Sequence, residues 1–181
     1  MKIICFGDSN TYGYDPRSYF GDRYRSDSRW VDILAEKTGW NILNEGLNGR
    51  VIPIKSIKVP SDTDLLIVML GTNDVFFQDD PDIIAKNMGK FLSGINIQKN
   101  RILLVAPPPV ELGQWEDALS AIQASNSLAS HYETLAKRLQ MRFVNAGDWN
   151  IAMAFDGVHF TEEGHRTFAD NLYHYLNKGE T

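Results

Sequence analysis

The chain has 181 residues, a length that suits one domain with room for a sizeable core, and its formal net charge of -5 argues against a general affinity for nucleic acid. With 43% hydrophobic and 23% charged residues the balance is that of an ordinary protein in water, and no apolar stretch reaches the length of a membrane span. Cys5 is the only cysteine, which excludes an internal disulfide and a cysteine-based zinc site.

In chain order, the apolar run Ile3-Ile4-Cys5-Phe6 predicts a strand over 2–6, with Cys5 as a small buried hydrophobe. It stops at Gly7 and passes to Asp8, Ser9 and Asn10, all turn formers. Arg17, Arg23, Arg25 and Arg29 follow, diluted by Asp15, Asp22, Asp27 and Asp32, and read as a solvated loop. A helix is predicted over 29–38, capped by Ser28 and ended by Gly39, then a short strand over 41–44 and the loop "NEGLNGR". "DLLIVML", 64–70, lacks polar alternation, as a strand covered on both faces should. "GTND" follows it, and the next helix starts with Asp80 as N-cap and Pro81 in the first turn. The remaining elements are a strand over 101–106 broken by three prolines, a long helix over 117–139, a strand over 142–145 and a final helix over 162–177.

Strands alternating with helices imply an α/β protein with a parallel sheet covered on both sides. No repeat or linker interrupts the series, so residues 1–181 read as one domain. No secretory signal pattern opens the chain, so a cytoplasmic location is expected, with no membrane partner. Ligands of such sheets bind beyond the carboxyl ends of the strands, where "GDSN", "NEGLNGR", "GTND" and "PPPVELGQW" all fall.

Ser9 at a strand end is either part of a strand-to-helix turn or a nucleophile, and a nucleophilic serine needs a base, usually histidine oriented by a carboxylate. Of four histidines, His174 lies on the polar side of the last helix, His165 on its apolar face, and His131 beside the stripe of the long helix. His159 stands in the loop "FDGVHFTEEG", ahead of an N-cap at Thr161 and three residues after Asp156. A turn at Gly157 would bring that carboxylate to the imidazole; the plainer reading is a turn aspartate and a packed histidine. Acyl transfer also needs oxyanion donors, for which the Asn73 amide and the N–H groups of Ser9 and Gly49 are candidates. An Asx turn at Asn73 and an ordinary loop glycine at Gly49 are the alternatives.

Together, "GDSN", "NEGLNGR", "GTND" and "DGVH" resemble the four ordered blocks of SGNH hydrolases, the GDSL esterases and lipases, from residue 3 to about 165. "CFGDSNTYGYDP" is similar to the arylesterase and acyltransferase branch. The resemblance implies a flavodoxin-like three-layer α/β/α sandwich with five parallel strands in the order 2-1-3-4-5. It implies Ser9 as nucleophile with Asp156 and His159 completing the triad, and the Ser9 and Gly49 N–H groups with the Asn73 side chain as oxyanion hole. Thr11 stands where the elbow G-x-S-x-G of other hydrolases would place glycine. The segment between Gly49 and the strand at 64–70 is short, without the long insertion of acyl-transferring relatives, which argues against their octameric assembly; a homo-oligomer of another kind is compatible with the sequence.

The expected substrate is a small acyl ester, acetyl or short-chain, with no cofactor and no metal, and Trp115 in the proline-rich loop is a candidate to stack on a ring or sugar face. A second reading is a non-catalytic flavodoxin-like module that binds flavin mononucleotide or a carbohydrate, although "GLNGR" is no phosphate loop. A third is a metal hydrolase built on Asp156, His159 and Glu163, which has too few suitably placed histidines.

Overall fold

The central strands take their place through alternation. Every residue of β3 (Leu65–Met69) and β4 (Ile102–Ala106) is buried, as are all but the first of β1 (Lys2–Gly7), because successive side chains face opposite sides of a sheet and both sides are covered. The structure, a computed structural model, describes residues 1–18, 20–78, 80–113 and 119–177. Its five strands pair in parallel in the order β2-β1-β3-β4-β5, with β2 (Asn41–Gly46) and β5 (Arg142–Asn145) at the edges. The connecting α-helices among the described residues are α1 (Ser9–Tyr12), α2 (Trp30–Thr38), α3 (Asp74–Phe77), α4 (Pro81–Ser93), α5 (Leu119–Leu139) and α6 (Glu162–Asn177).

Odd and even strand positions build two cores. Ile3, Cys5, Ile67 and Met69 pack with Trp30 of α2 and Phe168 of α6. Ile4, Phe6, Leu66 and Val68 pack with Phe91 of α4 and Tyr132 of α5 on the other face. Burial of a side chain such as Leu66 or Phe91 contributes about 1.5–3 kcal/mol, so each face of the sheet is held by many such increments. This is the flavodoxin-like α/β/α arrangement with the expected strand order.

The helix caps follow local chemistry, with one correction. Asp80 accepts the Asp82 amide at 2.9 Å and Pro81 fills the first helical position, as the sequence predicts. Ser28, however, does not cap α2. The helix starts at Trp30, Arg29 occupies the cap without a side-chain bond, and the Ser28 hydroxyl reaches the Glu162 carboxylate of α6 at 3.1 Å. A charged acceptor across the helix interface wins over a local amide.

The arginine-rich segment is also more engaged than a solvated loop. Arg23 donates to the Tyr12 carbonyl at 2.7 Å and stacks over the Tyr12 ring, while Arg17 bridges Asp15 and Glu162. Arg25 matches the expectation, with its side chain 88% exposed beside Asp27, and the Arg17 side chain, although paired, is 61% exposed. β2 runs two residues further than predicted, to Gly46, where it pairs with Gly7. Gly7 in turn is level with Met69, and Met69 with Val105, so the loops after β1, β2, β3 and β4 emerge along one edge of the sheet. That edge holds the site.

Candidate active site

β1 delivers its last residue, Gly7, directly to a single helical turn that begins at Ser9. Asp8 caps this turn: its Oδ1 accepts the Asn10 amide at 3.0 Å and leaves the Ser9 amide unclaimed by the cap. The turn closes when the Gly13 N–H donates to the Ser9 carbonyl at 2.9 Å. Ser9 is thereby fixed at the carboxyl end of a central strand, with 4% of its surface exposed.

The loop ahead of α6 brings the base. Asp156 folds the chain back on itself, its Oδ1 accepting the amides of both Val158 and His159 at 3.0 Å. Its Oδ2 meets His159 Nδ1 at 2.6 Å, and His159 Nε2 lies 3.0 Å from Ser9 Oγ. An Nδ1 proton shared with Asp156 leaves Nε2 as the acceptor for the Ser9 hydroxyl. Burial would raise the Asp156 carboxyl, but the His159 ring and the two amides outweigh it and hold the group below the ordinary carboxylate range, ionised at neutral pH. The Tyr14 ring packs against the imidazole at 4.6 Å between centroids.

Two glycines let a neighbouring loop brace this turn. Gly157 adopts φ +69°, and its carbonyl accepts the Glu111 amide at 2.8 Å. A Cβ on Gly113 would stand 2.3 Å from the Asp156 carbonyl oxygen. The proline-rich segment after β4 therefore supports the Asp156–His159 turn from behind. Trp115, the candidate stacking residue of that segment, lies outside the described residues.

Asn10 is a positioning residue that sequence reasoning treated only as a turn former. Its Nδ2 donates to the Val158 carbonyl at 3.0 Å and its Oδ1 accepts the Phe160 amide at 2.9 Å. The two bonds grip the backbone on either side of His159. Trp30 Nε1 holds Asn10 in turn, donating to its carbonyl at 3.0 Å. A polar residue expected in a buried turn directly beside a candidate nucleophile was the available signal.

On the opposite side, Asn73 sits at the start of α3 and its Nδ2 donates to the Arg50 carbonyl at 3.1 Å, which leaves the second amide hydrogen free to face the site. Arg50 belongs to the loop after β2. Its guanidinium lies over the Phe6 ring and donates to the carbonyls of Gly7, at 2.8 Å, and Glu45. Arg50 thus ties the Gly49 loop both to the strand that carries Ser9 and to Asn73. Gly49 is exposed, with φ +70° and open space around the position of a Cβ.

Between these groups lies a cavity of about 270 Å³ lined by Asn73, Phe76, Phe77, Asp156, Val158 and His159. Its walls are largely apolar, and the Phe77 ring is 83% exposed. The other histidines stand apart. His165 is fully buried between Tyr24 and Phe160, and burial pushes it down to about 3, so it stays neutral. His131 pairs with Asp82 on the surface, and His174 is exposed. Glu163 lines a surface depression with Arg17 and Arg166, and no three His, Cys, Asp or Glu side chains converge to hold a metal among the described residues. Nor is any described helix long and apolar enough to cross a membrane.

The sequence matches the GDSL-like lipase/acylhydrolase family over residues 5–167. It is 23% identical to the isoamyl acetate-hydrolyzing esterase of Saccharomyces cerevisiae, in an alignment covering 94% of this chain and 84% of that protein. Among solved structures, the carbohydrate acetylesterase Est24 of Sinorhizobium meliloti superposes with a TM-score of 0.82 at 27% identity, and the match covers 98% of each chain. The M. smegmatis aryl esterase does so with a TM-score of 0.82 at 28% identity, again over 98% of each chain.

Proposed function

Because the chain belongs to the GDSL-like lipase/acylhydrolase family and is a carboxylic ester hydrolase, we propose that it cleaves small acyl esters through an acyl-enzyme formed on Ser9. The observation that supports this reading most is the continuous relay of Ser9 Oγ, His159 Nε2, His159 Nδ1 and Asp156 Oδ2, with spacings of 3.0 and 2.6 Å at its two hydrogen bonds.

Ser9 Oγ attacks the ester carbonyl carbon as its proton passes to His159 Nε2. The carbonyl electron pair moves onto oxygen, where the Ser9 and Gly49 N–H groups and the Asn73 amide donate to the oxyanion. When the tetrahedral intermediate collapses, the alcohol leaves with the proton from His159. Water then attacks the acyl-Ser9 ester, giving a proton to His159, and as the second tetrahedral intermediate collapses that proton passes to Ser9 Oγ and the acid departs. Asp156 remains ionised throughout, which keeps the ring oriented and favours the imidazolium. The apolar cavity beside Asn73 and His159 supports a short acyl or acetyl ester with an alkyl or aryl portion packed on Phe76, Phe77 and Val158. We read residues 1–181 as one hydrolase domain.

Replacing Ser9 with Ala tests this reading. The variant should keep the wild-type circular dichroism and lose p-nitrophenyl acetate turnover by about 10⁶-fold in kcat, as a triad nucleophile does. A folded Ser9→Ala protein with kcat within about tenfold of wild type would end the triad assignment.

A further inference from the structure

Both nitrogens of the His159 ring are already committed, Nδ1 to Asp156 Oδ2 at 2.6 Å and Nε2 to Ser9 Oγ at 3.0 Å. Any further contact that steadies the base must come from a group packed on the ring itself. Tyr14 supplies one. The two ring centroids lie 4.6 Å apart with their planes inclined at 58°, and the His159 side chain is only 20% exposed.

Tyr14 is held in place by the turn that carries the nucleophile. Gly13 ends α1 at φ +88°, where a Cβ would stand 2.6 Å from the Arg29 side chain, so this reversal requires glycine. The Tyr14 amide then donates to the Ser9 carbonyl at 3.0 Å, beside the Gly13 amide. An antiparallel bridge joins Tyr14 to Arg23, and the Tyr24 amide donates to the Gly13 carbonyl at 2.8 Å. Ser9 and Tyr14 therefore belong to one short unit and meet the same imidazole. Tyr14 is not among the residues that line the 270 Å³ cavity, which leaves the imidazole, rather than the substrate, as its partner.

An aromatic ring treats the two charge states of an imidazole differently. Its face is negative and attracts a cation within about 6 Å, whereas a neutral imidazole gains ordinary packing alone. His165 shows the contrast. The Tyr24 and Phe160 rings approach it at 5.5 and 5.3 Å, but burial keeps it neutral. His159 has a carboxylate on one nitrogen and a hydroxyl on the other, the arrangement of a ring that takes up a proton.

We propose that Tyr14 is a positioning residue whose ring holds His159 more strongly as the imidazolium than as the neutral base, a role that rests on Ser9 and His159 acting as nucleophile and base. The Ser9 Oγ proton passes to Nε2 in acylation, and a water proton does so in deacylation. The contact thus strengthens in the transition states of both half-reactions. An interaction that grows only there raises kcat and leaves KM unchanged.

The test varies the electrostatics of the ring at nearly constant shape. Phenylalanine, and phenylalanines carrying one, two or three ring fluorines, are placed at position 14, each fluorine withdrawing charge from the ring face. Turnover of p-nitrophenyl acetate and urea unfolding are then measured. Tyr14→Phe should keep at least about half of the wild-type kcat, because the ring and not the phenol acts. With added fluorines log kcat should fall steadily, to about 3- to 10-fold below Tyr14→Phe at three, while the urea midpoint stays constant. Tyr14→Leu, which keeps apolar bulk without a ring, should lose about 10-fold in kcat with KM within about twofold of wild type. A kcat independent of fluorination, a loss in Tyr14→Phe as large as in Tyr14→Leu, or a loss carried by KM would overturn the role of Tyr14. Ser9→Ala separates the two failures: activity in that variant rejects the nucleophile itself, whereas an inactive Ser9→Ala beside a flat fluorine series rejects the role of Tyr14 alone.

Discussion

Asn10 joins parts of the chain 148 and 150 residues apart, and the position of His159 depends on it. Replacing it with Ala would leave the Val158 carbonyl and the Phe160 amide, both beside His159, without their partner. Each unsatisfied buried group costs about 1–3 kcal/mol, so a lower denaturation midpoint is expected in Asn10→Ala. A displacement of the base by even ~1 Å costs about 10²-fold in rate, and kcat should drop on that scale with KM nearly constant. Steady-state kinetics beside urea unfolding measure both. That Ser9, Asp156 and His159 come together was legible in the order of the four motif blocks, whereas their local marks alone fitted equally a strand-end turn, a turn aspartate and a packed histidine. Asn10 and Arg50 were not legible, since their partners are distant in sequence and their own neighbourhoods look like ordinary turns.

At the scale of elements, α3 is a single helical turn that the sequence reading did not predict, although it named the Asn73 amide as a candidate donor with an Asx turn as the alternative, and this turn also supplies the aromatic wall of the cavity. Phe77 is exposed enough that its removal should leave stability almost unchanged. If it packs on the alkyl or aryl portion of the substrate, Phe77→Ala should lower kcat/KM for phenyl acetate relative to methyl acetate by about 10-fold, the effect of losing one apolar contact surface. An equal loss on both esters would place the ring outside the binding surface. The strands were easier to read than this turn. "DLLIVML" announces a doubly covered strand by composition alone, and Asp80-Pro81 announces a helix start. Ser28 misled because a good local cap was available but a carboxylate on α6 offered a stronger acceptor. The extra length of β2 has no sequence mark, being set by its pairing with Gly7.

For the molecule as a whole, the buried histidine predicts a loss of stability in acid. His165 sits neutral in the core between α2 and α6, with Trp30 N approaching its Nδ1 at 3.5 Å, and burial pushes its value to about 3. An unfolded histidine titrates near ~6.5, so between that value and the folded one the unfolded chain binds the extra proton. The contribution is fully present above about pH 6.5 and is lost as pH falls toward the folded value, reaching about 4–5 kcal/mol when complete. Burial pushes the Asp8 carboxyl up to about 6, and this works the other way over part of the same range, which partly offsets the loss. Melting temperatures taken from about pH 7 down to 4 should decline in wild type and decline less in His165→Phe, whose ring suits the aromatic surroundings. Parallel curves for the two proteins would show that His165 does not set the acid limit.

The fold unites a serine near one end of the sequence with a histidine near the other, and the central claim is that this serine becomes covalently acylated. Treatment with a fluorophosphonate, followed by intact-mass measurement and peptide mapping, tests it most directly. One phosphonyl group should appear on Ser9, in proportion to the activity lost, and neither Ser9→Ala nor His159→Ala should take it up. An active enzyme that remains unlabelled, or a label on any other residue, would contradict the account.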